Sequence, residues 1–373
     1  MSRRYGDRTV ALVIAVILAS TMTACSSRGE AAHSTVSGPS STKCNDSVDA
    51  TKPYVTPGVA SATSGLRSVA TDFAVGVVAG QGYALIAAGQ HANWLHETKE
   101  SPAIIERLSG SDGKVLKRIS LSADKLNQID PVAPGQPGIP VVDKVSSIAV
   151  GKDKIYAIWA RYGGISGITV DTSLLALDSC SLAVVAIQPI SVSASQDQNR
   201  VAYDSVSDTV WVPGTPNTGE VTQYNGISLS LTNSVTVNDI GGSCIVAANG
   251  LIWYSLANSG VSTITPSTGA VNAVIPDSTA SSYNCVQTDG KNVYQSNDLQ
   301  LVLLDSSGAP IHGYPLHTAR VAGIANGKTW AIAGDGVTSL NDLKMIHVGL
   351  ISSAATTTMN VWVVTFDGAL SVI

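Results

Sequence analysis

From Val69 onward, apolar residues fall in short β-branched runs broken roughly every 8–12 residues by Gly, Asn or Asp. No 3.6-residue stripe is sustained, so the pattern predicts strands and turns rather than helices. One phrase recurs: an apolar strand, a tight polar turn, then a second strand carrying an aromatic. Those aromatics are Tyr83, Tyr156, Trp211, Trp253, Tyr294, Trp330 and Trp362. Their separations are 73, 55, 42, 41, 36 and 32 residues. The later spacings suit four strands per repeat, and the two long intervals predict inserted loops. The expectation is an all-β β-propeller over residues 51–373, of seven blades with four antiparallel strands each. Six or eight blades are the alternatives, and the aromatics are expected to pack between neighbouring blades. After Ser352 only three short strands remain, so closing the ring requires an N-terminal strand. Residues 52–59 are the candidate, with Pro53 and Pro57 acceptable on an outer edge.

The longest unbroken apolar run, residues 10–19, stands outside this pattern and follows Arg3, Arg4 and Arg8. It is too short to span a bilayer and fits the centre of a secretory signal. Met22-Thr23-Ala24-Cys25 follows, which resembles a bacterial lipoprotein lipobox, with Met22 where Leu is usual. The resemblance implies a signal peptide over residues 1–24, a lipidated Cys25, and anchorage to the cell membrane on its extracytoplasmic side. An ordinary cleaved signal with an incidental cysteine is the alternative. Residues 25–50 are small, polar and proline-containing, as a flexible tether would be.

Charge changes the picture by exclusion. Among 373 residues, 22 are basic and 27 acidic, a net of −5. Without residues 1–24 the chain keeps 19 basic and 26 acidic residues, a net of −7. No basic field is available for phosphates, so nucleic acid is not an expected partner. A hydrophobic content of 44% is too high for a disordered chain.

Beyond Cys25 the cysteines are Cys44, Cys180, Cys244 and Cys285, an even number that allows three disulfide connectivities. Cys244 and Cys285 each precede a repeat aromatic by nine residues, which places both on innermost strands of successive repeats. A bridge between them is expected, leaving Cys44 to pair with Cys180 and pin the tether to blade two; four free thiols are the alternative. None of the spacings suits a metal, so no zinc site is expected.

Within the repeat, residues 102–119 (PAIIERLSGSDGKVLKRI) and 261–271 (VSTITPSTGAV) show a strand that turns at a Gly and returns. This phrasing resembles YVTN-type and streptogramin-lyase-like propeller repeats over roughly residues 66–373. The resemblance implies the propeller fold and leaves function open, since such families include binding proteins, sensors and a few enzymes.

Candidate chemistry gathers in the long loops, expected at residues 90–101, 122–144 and 160–167, on one face near the first two repeats. His91, Trp94, His96 and Glu97 could hold a divalent metal or stack on a sugar or peptide, although they lack a helical His-x-x-x-His register; a solvated loop is the plainer reading. Arg161 and Tyr162 could contact an anionic or glycan ligand, against an ordinary polar loop. The lyase resemblance suggests metal-assisted chemistry with a histidine proton acceptor, but no histidine aligns with that family's site, so no catalytic residue is assigned. Phosphate-loop, dinucleotide and nucleophile-elbow motifs are absent, and no cofactor is expected. Asp112-Gly113 and Asp289-Gly290 resemble calcium-loop fragments but read better as hairpin turns.

The chain therefore reads as a lipid-anchored binding or scaffolding propeller of the cell envelope, with a glycan, peptide or exported protein as partner. A metal-assisted lyase or hydrolase working on the long-loop face is the alternative. The sensor part of a larger assembly is a third reading.

Overall fold

A computed structural model describes Cys44 and residues 62–63, 74–80, 83–88, 103–109, 115–121, 141–163, 168–191, 201–214, 219–237, 244–256, 260–272, 284–356, 360–365 and 369–373. A short strand β1 (Ala62–Thr63) comes first. Blade one follows as β2 (Ala74–Gly80), β3 (Tyr83–Ala88), β4 (Ala103–Ser109) and β5 (Val115–Leu121). Blade two is β6 (Val141–Val150), β7 (Lys154–Gly163), β8 (Ile168–Asp178) and β9 (Val184–Pro189). Blade three is β10 (Ala202–Asp204), β11 (Thr209–Pro213), β12 (Glu220–Asn225) and β13 (Leu231–Thr236). Blade four is β14 (Ile245–Ala248), β15 (Leu251–Leu256), β16 (Gly260–Thr265) and β17 (Ala270–Val271). Blade five is β18 (Asn284–Thr288), β19 (Val293–Asn297), β20 (Leu301–Leu304) and β21 (Pro310–Tyr314). Blade six is β22 (Arg320–Ala325), β23 (Lys328–Ala333), β24 (Gly336–Ser339) and β25 (Met345–His347). Blade seven joins β26 (Ile351–Thr356), β27 (Val361–Thr365) and β28 (Ala369–Val372) to β1.

These are seven four-stranded antiparallel sheets, each ordered first strand to fourth. The first strands β2, β6, β10, β14, β18, β22 and β26 neighbour one another in that order, and β26 returns to β2. The chain is therefore a closed β-propeller. Closure uses an N-terminal strand on the outer edge, but that strand is Ala62–Thr63, paired with Leu370 and Ala369, rather than residues 52–59. Residues 52–59 lie outside the described residues.

All seven repeat aromatics sit on the second strand of their blade. Period-two alternation explains their role, because a strand between two blades is buried on both faces. Along β7, Ile155, Ala157 and Trp159 pack toward blade one, while Tyr156 and Ile158 pack toward blade three. Trp211, Trp253 and Tyr294 likewise fill the seam to the following blade. The core is thus a series of seams, six of which lie among the described residues.

Polar clasps cross the same seams. Arg107 on β4, only 2% exposed, donates to the carbonyls of Ser179 (3.0 Å) and Cys180 (2.5 Å) in blade two. The Tyr156 hydroxyl donates to the carbonyl of Gly226 in blade three at 2.6 Å. Gly226 is required there because a Cβ would stand 2.5 Å from Asp208 Oδ1. Gln287 donates to the Ala319 carbonyl and accepts from the Val321 amide, joining blade five to blade six. Asp289-Gly290 is a hairpin turn, as expected. Asp289 accepts from the amides of Lys291 and Asn292 and from the hydroxyls of Tyr294 and Thr329. Asp112-Gly113 lies outside the described residues.

Both expected disulfides form. Cys244–Cys285 crosses the seam between blades four and five, with Cα atoms 5.1 Å apart. Cys44–Cys180 ties the N-terminal segment to the β8–β9 turn, with Cα atoms 5.4 Å apart.

The buried phenols make the ring sensitive to alkali. Burial, and then the hydrogen bond to Asp208, push the Tyr203 pKa up to about 12 from an ordinary 10.0. Burial raises Tyr156 and Tyr294 as well, with nearby Asp208 and Asp289 adding to the shift. A raised acid pKa means the folded state holds its proton more tightly than the unfolded chain. This contribution is complete below pH 10 and is lost as pH rises toward 12. Urea midpoints should therefore hold steady up to about pH 9.5 and fall above 10, with the phenolate absorbance of these three tyrosines appearing only on unfolding. Phenolate formation in the fully folded ring near pH 10 would contradict this.

Candidate binding face

Strand direction sorts every connection onto one of two faces. First-to-second and third-to-fourth turns share one face; second-to-third connections and blade-to-blade connections share the other. The short-turn face is organised by Asx turns, in which a side-chain oxygen accepts from amides two to four residues on. Asp178 accepts from Cys180 and Ser181, Asn225 from Ile227 and Ser228, and Asp305 from Ser307 and Ala309. Lys328 reaches Asp342 at 2.7 Å and is the main reason that carboxyl sits at about 2. Hydrogen bonding also lowers Asp178 and Asp305.

The connections at the other face include the inserted segments. Those the sequence singled out join β3 to β4, β5 to β6 and β7 to β8, whereas the blade-to-blade connections 190–201 and 272–283 are longer than the one from β7 to β8. Two of the three are shorter than the sequence suggested. β6 already begins at Val141, and β7 runs to Gly163 before β8 starts at Ile168. Arg161 and Tyr162 are therefore strand residues, not loop residues. The register sets Arg161 opposite Asp143 on one side and Asp171 on the other. His91, Trp94, His96, Glu97 and Cys25 lie outside the described residues.

Blades five and six supply the best described part of this loop face. Asn297, fully buried, closes the β19–β20 turn by accepting from the amides of Leu299 and Gln300. This turn presents Leu299, which is 54% exposed. The His317 Nδ1 lies 2.9 Å from the carbonyl of Asp298 in the same turn. In blade six, Asp335 accepts from the amides of Val348 and Gly349, and its carboxylate lies 3.3 Å from His347 Nδ1. The chain then passes through Leu350, 68% exposed, on its way to blade seven. Two open leucines thus project from braced turns beside two imidazoles. Sequence reasoning missed both leucines; their signal was an isolated apolar residue inside a turn, in Asn-Asp-Leu-Gln and Val-Gly-Leu-Ile. His312 packs edge-on against Tyr314 on outer strand β21 and takes no part. No group of three or more His, Cys, Asp or Glu suited to a metal occurs among the described residues.

No family model matches the chain, and no curated protein does. Among solved structures, it is similar to BamB from Moraxella catarrhalis. The likeness covers 81% of this chain and 85% of that one at 14% identity, with a TM-score of 0.48. It transfers no residue role to this chain. The candidate face therefore rests on its own geometry: braced turns with exposed leucines at blades five and six.

Proposed function

We propose that the protein is a lipid-anchored, extracytoplasmic propeller that binds or scaffolds a cell-envelope component through its loop face. The observation that carries this reading is the exposure of Leu299 and Leu350 on braced connections that share one face of a ring closed by packed seams. Rigid scaffolds that present variable connections on one face are suited to recognition. Exposed leucines rimmed by polar turns favour a peptide or an exported protein over a small solute. The two disulfides support an oxidising compartment, and the signal-like run ending at Cys25 supports anchorage at the membrane.

A thermal-shift panel on residues Pro39–Ile373 tests the reading, using envelope peptides, exported proteins, glycan fragments and divalent metals. A ligand at 100 times its Kd adds about 2.7 kcal/mol of stability. The expected result is a shift with a peptide or exported protein. Leu299→Glu and Leu350→Glu should each weaken that binding about tenfold, which is ~1.4 kcal/mol. Neither should move the unliganded midpoint, because both side chains already face solvent. A shift given by metal alone and lost in His91→Ala or His96→Ala would replace this reading with the metal-assisted lyase.

A further inference from the structure

We propose that the outer edge of blade three is a second binding surface, which takes an extended segment of another chain as a fifth strand. The inference is independent of the loop face. Each blade ends in an outer strand whose outward amides and carbonyls can pair with another chain, and proteins block such edges with short strands, proline or charge. Six of the seven outer strands here carry such a block. β1 and β17 are two residues long, and β25 has three and follows Lys344. β9 ends in Pro189, whose carbonyl accepts from Gln188 Nε2 at 3.1 Å, and β21 begins with Pro310. β5 carries Lys117 and Arg118. β13, Leu-Thr-Asn-Ser-Val-Thr, has six residues and neither proline nor charge.

The register shows which groups of β13 point outward. The Val237 amide donates to the Gly219 carbonyl at 2.7 Å, and Glu220 stands opposite Thr236. Alternation then turns the backbone groups of Val235 and Asn233 toward β12 and leaves those of Thr236 and Ser234 facing out. The Ser234 amide is held by Asn233 Oδ1 at 2.9 Å, a local contact that an incoming carbonyl can replace. Ser234 and Thr236 are exposed while Val235 is buried against blade four, so the strand is anchored and its edge open. Where β13 begins, the edge meets exposed aliphatic side chains. The Gly226 amide donates to the Asp208 carbonyl at 2.9 Å and joins the β10–β11 turn to the β12–β13 turn. Those turns present Val206 and Ile227, 84% and 63% exposed, with Leu231 at 61% on the strand itself.

Charge selects the occupant. Ser234 Oγ donates to Glu220 Oε1 beside the edge. Pairing β13 with a second copy about a two-fold axis at Ser234 would bring two Glu220 carboxylates together on one face, where like charges repel. A strand of a different chain avoids that repulsion if it is apolar where it meets Ile227 and Leu231 and basic opposite Ser234.

The test uses the full chain and a fluorescent peptide of alternating valine and threonine with a central lysine, residues chosen for their fit to a strand and to Glu220. Binding should saturate below about 1 mM and slow amide exchange at Ser234 and Thr236, but not in β5 or β9. Ser234→Pro should weaken binding about tenfold and leave the unliganded midpoint in place, because that amide takes no part in the β12–β13 ladder. A peptide with glutamate for lysine, or with its pairing amides N-methylated, should also bind about tenfold more weakly. No saturation by about 1 mM overturns the site, as does binding that Ser234→Pro leaves unchanged. If Ser234→Pro lowers the midpoint, the N-methylated peptide decides, and its equal binding overturns strand addition. A dimer of the free chain in sedimentation that Ser234→Pro dissolves gives the edge to a second copy and overturns the choice of partner.

Discussion

Trp253→Ala is expected to destabilise the ring by about 3–5 kcal/mol, the usual range for removing a fully buried Trp. Trp253 has no exposed surface and lies in the seam where blade four meets blade five. It shares that seam with Val246, Val261, Val286, Val293 and Val302, so a truncation opens a cavity lined from both blades. Strand pairing braces the cavity walls, Trp253 standing opposite Val246 on β14 and Thr263 on β16, which limits their collapse. The indole N–H also donates to the Ala248 carbonyl at 3.1 Å, and its loss leaves that acceptor to find water. Trp253→Phe separates the two contributions, because it keeps most of the volume and gives up the hydrogen bond, at about 1 kcal/mol from that source. Urea titration followed by circular dichroism should place the midpoints in the order wild type, Phe, Ala. If Ala and Phe unfold together, the seam is not the element that sets stability.

The same physics explains what could be read from the chain. The second strand of each blade has blades on both sides, so burial selects its residues twice, and large aromatics recur there at one place per repeat. That made the blade count and the inner-strand position of Cys285 legible. Strand ends escape the same selection. Asp143, Lys144, Arg161 and Tyr162 belong to β6 and β7 by register, but their polar composition reads as loop. β1 was misplaced for a related reason: two residues suffice to close the ring, and so short a strand leaves no periodic signature. Leu299 and Leu350 were missed because an isolated leucine in a strand-rich sequence looks like core. Only the topology places them on connections.

Removing the Cys244–Cys285 bridge as a double serine variant should lower stability by about 4 kcal/mol, the chain-entropy value for its sequence separation of 41. The bridge and Trp253 occupy one seam, so their effects should not add. With the bridge gone, blades four and five can settle around a truncated side chain, and the combined loss should fall short of the sum by about 0.5–3 kcal/mol. The two bridges should also differ in how they respond to reductant. Cys244 and Cys285 are buried in the seam, whereas Cys180 is partly open in a turn and Cys44 is half-buried beside it. A thiolate must reach sulfur to exchange, so Cys44–Cys180 should open in native buffer while Cys244–Cys285 waits for the seam to part. Timed reduction, alkylation and peptide mapping would resolve the order, and addition of urea should bring the two rates together. Simultaneous reduction under native conditions would mean that the seam between blades four and five opens readily, and the stability assigned to Trp253 would have to be sought elsewhere in the ring.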